Sequence, residues 1–169
     1  MKNLWSPWRS IYIDSLKNEQ SNDNCIFCEA VDKEISDISN LVVHKSKITF
    51  VMLNLYPYNN GHLMIVPNRH FNSLDKITID ESHELIEEII LAEKVLRKVY
   101  NPHGFNVGAN LGRTGGAGID EHIHFHIVPR WNGDTNFMPV LGEVKVKVIS
   151  QDLAETKKRL LAAYKEIVL

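Results

Sequence analysis

A chain of 169 residues is long enough for one domain with a substantial hydrophobic core. Its 44% hydrophobic and 24% charged residues are ordinary for a globular protein, and a formal net charge of -2 gives no electrostatic argument for binding nucleic acid or a membrane surface. The apolar runs are too short to span a membrane, and the N-terminus lacks the apolar core of a signal peptide. We therefore expect a single cytoplasmic domain over residues 1–169.

The N-terminal segment 1–24 carries the aromatic residues Trp5, Trp8 and Tyr12. We predict an arm that packs against the domain or against a partner subunit. Direct contact with a substrate is the alternative.

Both cysteines of the chain, Cys25 and Cys28, fall in one Cys-Ile-Phe-Cys motif, which excludes a disulfide framework. A redox pair of the thioredoxin type follows a strand at the start of a helix, whereas the polar segment 19–24 precedes this motif. Half of a zinc site is therefore the favoured interpretation, and the remaining ligands must come from elsewhere in the chain.

The first half of the chain predicts an antiparallel hairpin. Residues 41–44 and 48–55 are typical of strands, and residues 62–66 predict a third strand that Pro67 closes. Between them, residues 56–61 are dense in turn-forming residues. Strand, turn and strand at this spacing indicate antiparallel pairing.

The clearest helix is predicted over Ile79–Tyr100, because Thr78 and Glu81 have the spacing of a capping box. Its apolar face follows the helical period. That face comprises Leu85, Ile86, Ile89, Ala92, Leu96 and Val99.

The second half predicts a strand over residues 105–111, a glycine-rich loop over 112–119, and an edge strand over 144–149. A C-terminal helix is predicted over 151–169, so residues 138–169 form a strand-and-helix extension. The elements together predict an α+β domain with an antiparallel sheet of about five strands, a long helix and a C-terminal helix.

Residues 122–128 read His-Ile-His-Phe-His-Ile-Val. Side chains on a strand alternate between its two faces. His122, His124 and His126 share one face. Ile123, Phe125 and Ile127 share the other. The apolar set predicts a core-facing side, and the imidazoles predict a reactive or metal-binding side, because imidazole is a nucleophile, an acid or base near neutral pH, and a metal ligand. A half-exposed strand without function is the alternative.

The glycine-rich loop leads directly into the histidines. Glycine lets backbone N–H groups approach a phosphate closely. We predict phosphate contact there, with a flexible connection as the alternative.

The run 122–128 resembles the signature of the histidine triad family, His-φ-His-φ-His-φ-φ, where φ is apolar. The hairpin 54–67 resembles the family's nucleoside-binding hairpin, Asn110 with the glycine-rich loop resembles its phosphate-side segment, and Cys-Ile-Phe-Cys is similar to its zinc motif. Residues 4–9, 103–108 and 129–137 resemble the bacterial group close to diadenosine tetraphosphate phosphorylases. In that group a Ser can occupy the position of Gly118, so how a second phosphate acceptor is held stays open.

The resemblance implies a role for each histidine of the site. His124 would attack the α-phosphorus of a nucleotide to form a nucleotidyl-histidine, with a backbone carbonyl fixing its tautomer. His126 would hydrogen-bond the phosphate or the leaving oxygen, supported by His62. Water or phosphate would then resolve the intermediate.

The resemblance also implies the substrate contacts. Asn54 would hold the ribose hydroxyls, although a turn-capping role is the alternative. Phosphoryl oxygens would be bound by Asn110 and by the loop amides of Gly116, Ala117 and Gly118.

The family's metal ligands correspond to Cys25, Cys28, His70 and His122, which would complete a structural zinc tetrahedron. No organic cofactor is implied. A homodimer is implied, and we expect the helix 79–100 near its interface. A surface or capping role is expected for His44 and His103.

The resulting hypothesis is a nucleotidyl transferase that cleaves dinucleoside polyphosphates by phosphorolysis. A hydrolase of dinucleoside polyphosphates or nucleoside phosphoramidates in the same family is the first alternative. A non-catalytic nucleotide-binding module and a zinc-dependent metalloenzyme are the others.

Overall fold

The structure is a computed structural model that describes residues 25–134 and 152–168. Its strands form one antiparallel sheet in the order β1-β2-β3-β5-β4, which confirms the predicted α+β class. In chain order the elements are α1 (Ile26–Val31), β1 (Val42–Lys45), β2 (Thr49–Leu53), β3 (Leu63–Pro67), α2 (Ile79–Tyr100), β4 (Gly104–Gly108), β5 (Phe125–Arg130) and α3 (Leu153–Val168).

Two predicted elements, the N-terminal arm and the edge strand at 144–149, lie outside the described residues. Within the described ranges, no helix is long and apolar enough to cross a membrane.

The predicted hairpin is confirmed as β2 and β3, which pair in register from Thr49 opposite Pro67 to Leu53 opposite Leu63. Its turn packs tightly on the long helix. Gly61 has a φ of +75°, and a Cβ at this position would lie 2.7 Å from the ring of Tyr100. Only glycine satisfies both the positive φ and the close approach, so this residue fixes the turn against α2.

Apolar side chains cover both faces of the sheet. One face packs on α2 and α3 through a core in which Val51, Ile65 and Ile127 are fully buried. The other face packs on α1 through a second core, which contains Phe27, Ala30, Val42, Phe50, Met52, Met64 and Val66. The short helix α1 therefore closes the sheet on the side opposite the long helices.

The long helix begins and ends where the sequence predicts, and its capping box is present, with the Glu81 amide donating to Thr78 Oγ1. The prediction of its apolar face is wrong at Ile86, which is 56% exposed. That side chain faces away from the sheet, beside the exposed Ile79 and Ile90, and Val95 is buried instead.

The C-terminal helix is confirmed as α3, and it carries a buried cation that was not predicted from the sequence. Lys157 is 1% exposed, and its Nζ donates to the carbonyls of Asp37 and Asn40 at 2.8 and 3.0 Å. Burial lowers the pKa of this amine. The lysine thereby joins α3 to the chain segment that follows α1.

Two histidines outside the triad have structural roles. The prediction of a surface or capping role is wrong for His44, whose ring stacks on Tyr164 at 4.8 Å with Nε2 3.5 Å from Glu88 Oε1. This contact joins β1 to both long helices. His103 lies at the surface, as predicted, and its Nδ1 accepts a hydrogen bond from the Asn132 amide at 2.8 Å.

The start of α2 is held by a buried carboxylate. Arg69 Nε and Nη2 donate to Glu81 Oε1 and Oε2 at 2.9 and 2.8 Å. These bonds, with those from Thr78, lower the pKa of Glu81 from 4.5 to about 2. The ionised carboxylate therefore stabilises the folded chain above the unfolded pKa, and this contribution is lost as the pH falls through the folded pKa.

We predict that Glu81→Gln lowers the free energy of unfolding near neutral pH by about 1–3 kcal/mol, because hydrogen bonds to a charged group are lost. Its stability should also fall less steeply than that of the wild type between about pH 5 and pH 2. Urea denaturation across this window measures both effects. Glu87→Gln, an exposed change on the same helix, is the control and should follow the wild type. An equally steep fall in Glu81→Gln would contradict the assignment.

Candidate active site and metal cluster

The histidine run enters the sheet later than the sequence predicts, because β5 begins at Phe125. His122 and His124 therefore precede the strand, and Ile123 is anchored there by its amide, which donates to the Phe71 carbonyl at 2.6 Å. Within the strand the predicted alternation is confirmed. Ile127 enters the core beneath α2, whereas His126 pairs with Met64, whose side chain packs on the α1 side.

A backbone carbonyl determines the tautomer of His124. Its Nδ1 lies 2.9 Å from the carbonyl oxygen of His122, which can only accept a hydrogen bond. Nδ1 therefore carries the proton, and the lone pair of the neutral ring is on Nε2. Burial lowers the pKa of His124, which keeps the ring neutral at pH 7.

A second chain of hydrogen bonds determines the tautomers of His62 and His126. The amide of Tyr58 donates to His62 Nδ1 at 3.1 Å, so the proton of a neutral His62 is on Nε2. That nitrogen lies 2.9 Å from His126 Nδ1, which accepts. The remaining N–H of His126, on Nε2, is then available as a donor.

The rings of His62, His124 and His126 form one group, in which His62 and His124 are buried and His126 is half-buried. His124 and His126 have ring centroids 4.9 Å apart, and those of His126 and His62 are 5.0 Å apart. Burial, together with the neighbouring His124, lowers the pKa of His126 to about 4. The lone pair on Nε2 of the neutral His124 ring thus lies beside the Nε2–H donor of the neutral His126 ring.

The four ligands predicted for a metal lie together. Cys25, Cys28, His70 and His122 each offer one ligand atom, and these atoms lie within 4.8 Å of one another. Cys25 Sγ is 3.3 Å from His122 Nδ1, and Cys28 Sγ is 3.3 Å from His70 Nδ1. A tetrahedral ion with bonds of about 2.3 Å to sulfur and about 2.0 Å to nitrogen separates such ligands by about 3.5 Å. The four residues therefore fit a metal ion.

The surroundings of the cluster also suit a cation. His122 Nε2 donates to the Pro67 carbonyl at 2.9 Å, which leaves Nδ1 unprotonated and directed at the cysteines. Burial lowers the pKa of His122 to about 4. Burial and the neighbouring Cys25 raise the pKa of the Cys28 thiol. A bound cation would offset this repulsion between two thiolates.

The helix that carries the cysteines was not predicted from the sequence. Cys25 is the N-cap residue of α1, and Cys28 lies in its first turn. Between them Phe27 is fully buried and packs on two triad rings, with centroids 5.4 Å from His122 and 4.8 Å from His124. The segment is short, and its contacts depend on residues about 95 positions away, so no local pattern reveals them.

Asn54 occupies the turn beside His62. Its side-chain Oδ1 accepts a hydrogen bond from the backbone N–H of Tyr56 at 2.9 Å. Its own backbone N–H donates to the His62 carbonyl at 3.0 Å. The side-chain bond is the turn-capping alternative that the sequence analysis considered. The ribose contact stays a prediction.

The glycine-rich loop contains a turn of 3-10 helix at Arg113–Gly115. Gly116 has a φ of +94°, and its amide and that of Ala117 donate to loop carbonyls at 3.0 and 3.3 Å. Asn110 Nδ2 donates to the Gly116 carbonyl at 3.2 Å. Two of the three predicted amide donors are therefore used within the loop, together with the side chain of Asn110. Their contact with phosphate stays a prediction.

A polar contact that the sequence analysis missed holds the hairpin turn to the end of β5. Asp134 accepts from Arg130 Nε at 2.6 Å and from Asn59 Nδ2 at 2.9 Å. The same Asn59 nitrogen donates to the Pro129 carbonyl at 3.0 Å. Arg130 holds the pKa of Asp134 well below its usual range. The turn that carries Tyr58 is thereby fixed to the histidine strand.

Comparison with known proteins agrees with this geometry. The HIT domain family model matches residues 36–133. AP-4-A phosphorylase of Mycobacterium tuberculosis is 42% identical over 167 residues, which cover 96% of this chain and 83% of that protein. An uncharacterized HIT-like protein of Methanocaldococcus jannaschii is 34% identical over 79% of this chain and 98% of its own length. The chain therefore belongs to the HIT, or histidine triad, family.

A solved structure supports the fold. The Zn-bound histidine triad family protein from Mycobacterium smegmatis superposes with a TM-score of 0.67 at 21% identity, covering 86% of this chain and 96% of that one. At this identity the likeness concerns the fold.

We predict that the purified protein contains about one divalent metal ion per chain and that Cys28→Ser loses most of it, because three ligands hold a metal less tightly than four. Elemental analysis after dialysis measures the content, and thermal unfolding should show a lower midpoint for the variant. Cys25→Ser is expected to lose metal and to show a lower unfolding midpoint in the same way as Cys28→Ser. Full metal content in both variants would contradict the four-ligand assignment.

Proposed function

We propose that this protein is a nucleotidyl transferase that cleaves dinucleoside polyphosphates, such as diadenosine tetraphosphate, by phosphorolysis. The observation that carries the proposal is the lone pair of His124 Nε2 beside the N–H of His126, in rings kept neutral by burial. The similarity to AP-4-A phosphorylase supports the same substrate class.

In the first step, Nε2 of His124 attacks an α-phosphorus, and the bond from that phosphorus to the bridging oxygen breaks. For diadenosine tetraphosphate, ATP leaves and adenylyl-His124 remains. The leaving oxygen belongs to a phosphate chain, so it needs a hydrogen-bond donor and no proton. His126 Nε2–H supplies that donor, and His62 orients the ring through its bond to Nδ1.

In the second step, inorganic phosphate attacks the same phosphorus, ADP forms, and His124 regains its lone pair. The His122 carbonyl stabilises the positive charge that His124 carries as the intermediate. Splitting the displacement into two steps lowers each barrier.

We also propose the substrate contacts. Asn54 lies in the turn beside His62. Its side-chain Nδ2 binds the ribose hydroxyls while its Oδ1 caps the turn. Asn110 and the amides of Gly116, Ala117 and Gly118 bind phosphoryl oxygens, which requires Asn110 and the loop to exchange their internal hydrogen bonds for the substrate. The positive φ of Gly116 gives the loop the backbone freedom that this exchange needs.

The metal of the cluster is zinc with a structural role. Two sulfurs and two imidazole nitrogens form a donor set that zinc prefers, and four protein ligands leave no open position for a substrate. Cys25, Cys28, His70 and His122 would tie α1 to the segment that precedes β5. No organic cofactor takes part in this scheme.

The protein acts in the cytoplasm as a homodimer. Supporting the dimer, Ile79, Ile86 and Ile90 form an exposed apolar stripe on α2, and Val107 is 50% exposed on the edge strand β4. Among the described residues β4 pairs on one side only, with β5, and pairing with the β4 strand of a second copy would satisfy the backbone groups of its other edge.

We predict that diadenosine tetraphosphate yields ATP and ADP when phosphate is present, and that His124→Ala abolishes turnover without loss of folding. Chromatography of the nucleotides separates the products, and circular dichroism checks the fold. AMP formed at the same rate without phosphate would indicate the hydrolase alternative. Turnover by a folded His124→Ala protein would contradict the mechanism.

For the dimer, we predict that the wild type sediments as two chains and that Ile86→Glu shifts it toward one chain, because a charge is buried in the interface. Sedimentation velocity at several protein concentrations measures this. Glu87→Gln, which keeps the apolar stripe, is the control. A wild type that sediments as a single chain throughout would contradict the dimer.

A further inference from the structure

Phe27 lies where the metal cluster meets the reactive histidines. Its side chain is fully buried between Cys25 and Cys28 along α1. Its ring centroid is 4.8 Å from that of His124 at an interplanar angle of 43°, and 5.4 Å from that of His122 at 77°. His122 belongs to the metal cluster, and His124 carries the Nε2 lone pair that is proposed to attack the phosphorus.

We propose that Phe27 is a positioning residue for His124: it holds the imidazole so that Nε2 stays directed at the substrate phosphorus, a role that rests on the proposed function. The metal-binding motif thereby supplies part of the active site through the residue between its ligands.

The contacts of His124 explain why such a support is needed. The hydrogen bond to the His122 carbonyl fixes one ring nitrogen but permits the ring to rock about that bond. His126 meets the ring edge to face at 4.9 Å. Phe27 is an apolar neighbour that restricts the remaining motion, and tilted aromatic contacts at this distance are favourable. A nucleophile misplaced by about 1 Å loses about a hundredfold in rate.

The helix that carries Phe27 depends on its anchors. α1 has six residues, too few for a helix to be stable by itself. Cys25 and Cys28 join it to His122 and His70 at 3.3 Å, and Ala30 enters the core beneath the sheet. These contacts on both sides of Phe27 hold its ring in place, so the position of the ring follows the position of the cluster.

Phe27→Leu tests the proposal, with Phe50→Leu as the matched control. Phe50 is also fully buried and belongs to the same core, and its ring contacts none of the triad histidines within the described part of the chain. Both changes remove the same atoms from one core. The readouts are kcat and KM with diadenosine tetraphosphate, metal content, and the ¹⁵N chemical shifts of the His124 ring at fixed pH.

We expect Phe27→Leu to lower kcat at least tenfold while KM changes less than about twofold, because ground-state binding is retained. The ¹⁵N resonances of its His124 ring should shift and broaden because the ring moves, while Nδ1 keeps its proton on the His122 carbonyl and the metal content is unchanged. Phe50→Leu should keep the wild-type kcat and the wild-type ¹⁵N resonances of His124. Equal losses of kcat in the two variants, or an unaltered kcat and unaltered His124 resonances in Phe27→Leu, would overturn the proposal.

Two further arms keep the test decisive. If Phe27→Leu does not fold, Phe27→Met takes its place because methionine fills a similar volume. We expect Phe27→Met to lower kcat while Phe50→Leu keeps the wild-type value. If the wild type does not cleave diadenosine tetraphosphate, the proposed function fails, and the ¹⁵N comparison still decides whether Phe27 positions His124. Unchanged ¹⁵N shifts and line widths of the His124 ring would then reject the positioning role as well.

Discussion

The hydrogen bond from His124 Nδ1–H to the carbonyl of His122 is the interaction on which the site depends. A neutral imidazole has one proton and one lone pair, so occupying Nδ1 with a carbonyl assigns the lone pair to Nε2. The bond spans only two residues, and it exists because His122 and His124 precede β5, where the chain is not committed to sheet pairing. A ladder hydrogen bond at that carbonyl would compete for the same acceptor.

Neighbouring groups give each histidine a different role although all have the same side chain. The Pro67 carbonyl accepts from Nε2–H of His122, which leaves Nδ1 of that ring facing the cysteines. The Tyr58 amide donates to Nδ1 of His62, which leaves the proton of that ring on Nε2, facing His126. Burial supplies the second requirement, since it lowers the pKa values of His122 and His126 to about 4 and also lowers that of His124, so these three rings stay neutral at pH 7. Neutral rings can accept, donate and bind metal, whereas an imidazolium ion can only donate.

Much of this arrangement could be predicted from the sequence, and the exceptions have physical reasons. The capping box placed the start of α2, and alternation placed Ile127 and His126 on opposite faces. The six residues of α1 are too few to give a helical period, and Ile86 obeys the period of α2 yet points away from the sheet. His44 stacks on Tyr164, and the buried Lys157 donates to Asn40, and no local pattern indicates these partners because they are distant in the chain.

The position of a trapped intermediate tests the account most directly. Wild-type protein is quenched in alkali after brief reaction with diadenosine tetraphosphate labelled at its α-phosphorus, and the labelled peptide and ring nitrogen are identified by mass spectrometry and NMR. We predict a phosphoramidate bond at Nε2 of His124, because Nδ1 is held by the His122 carbonyl. A label on His126, on Nδ1 of His124 or on another residue would contradict it.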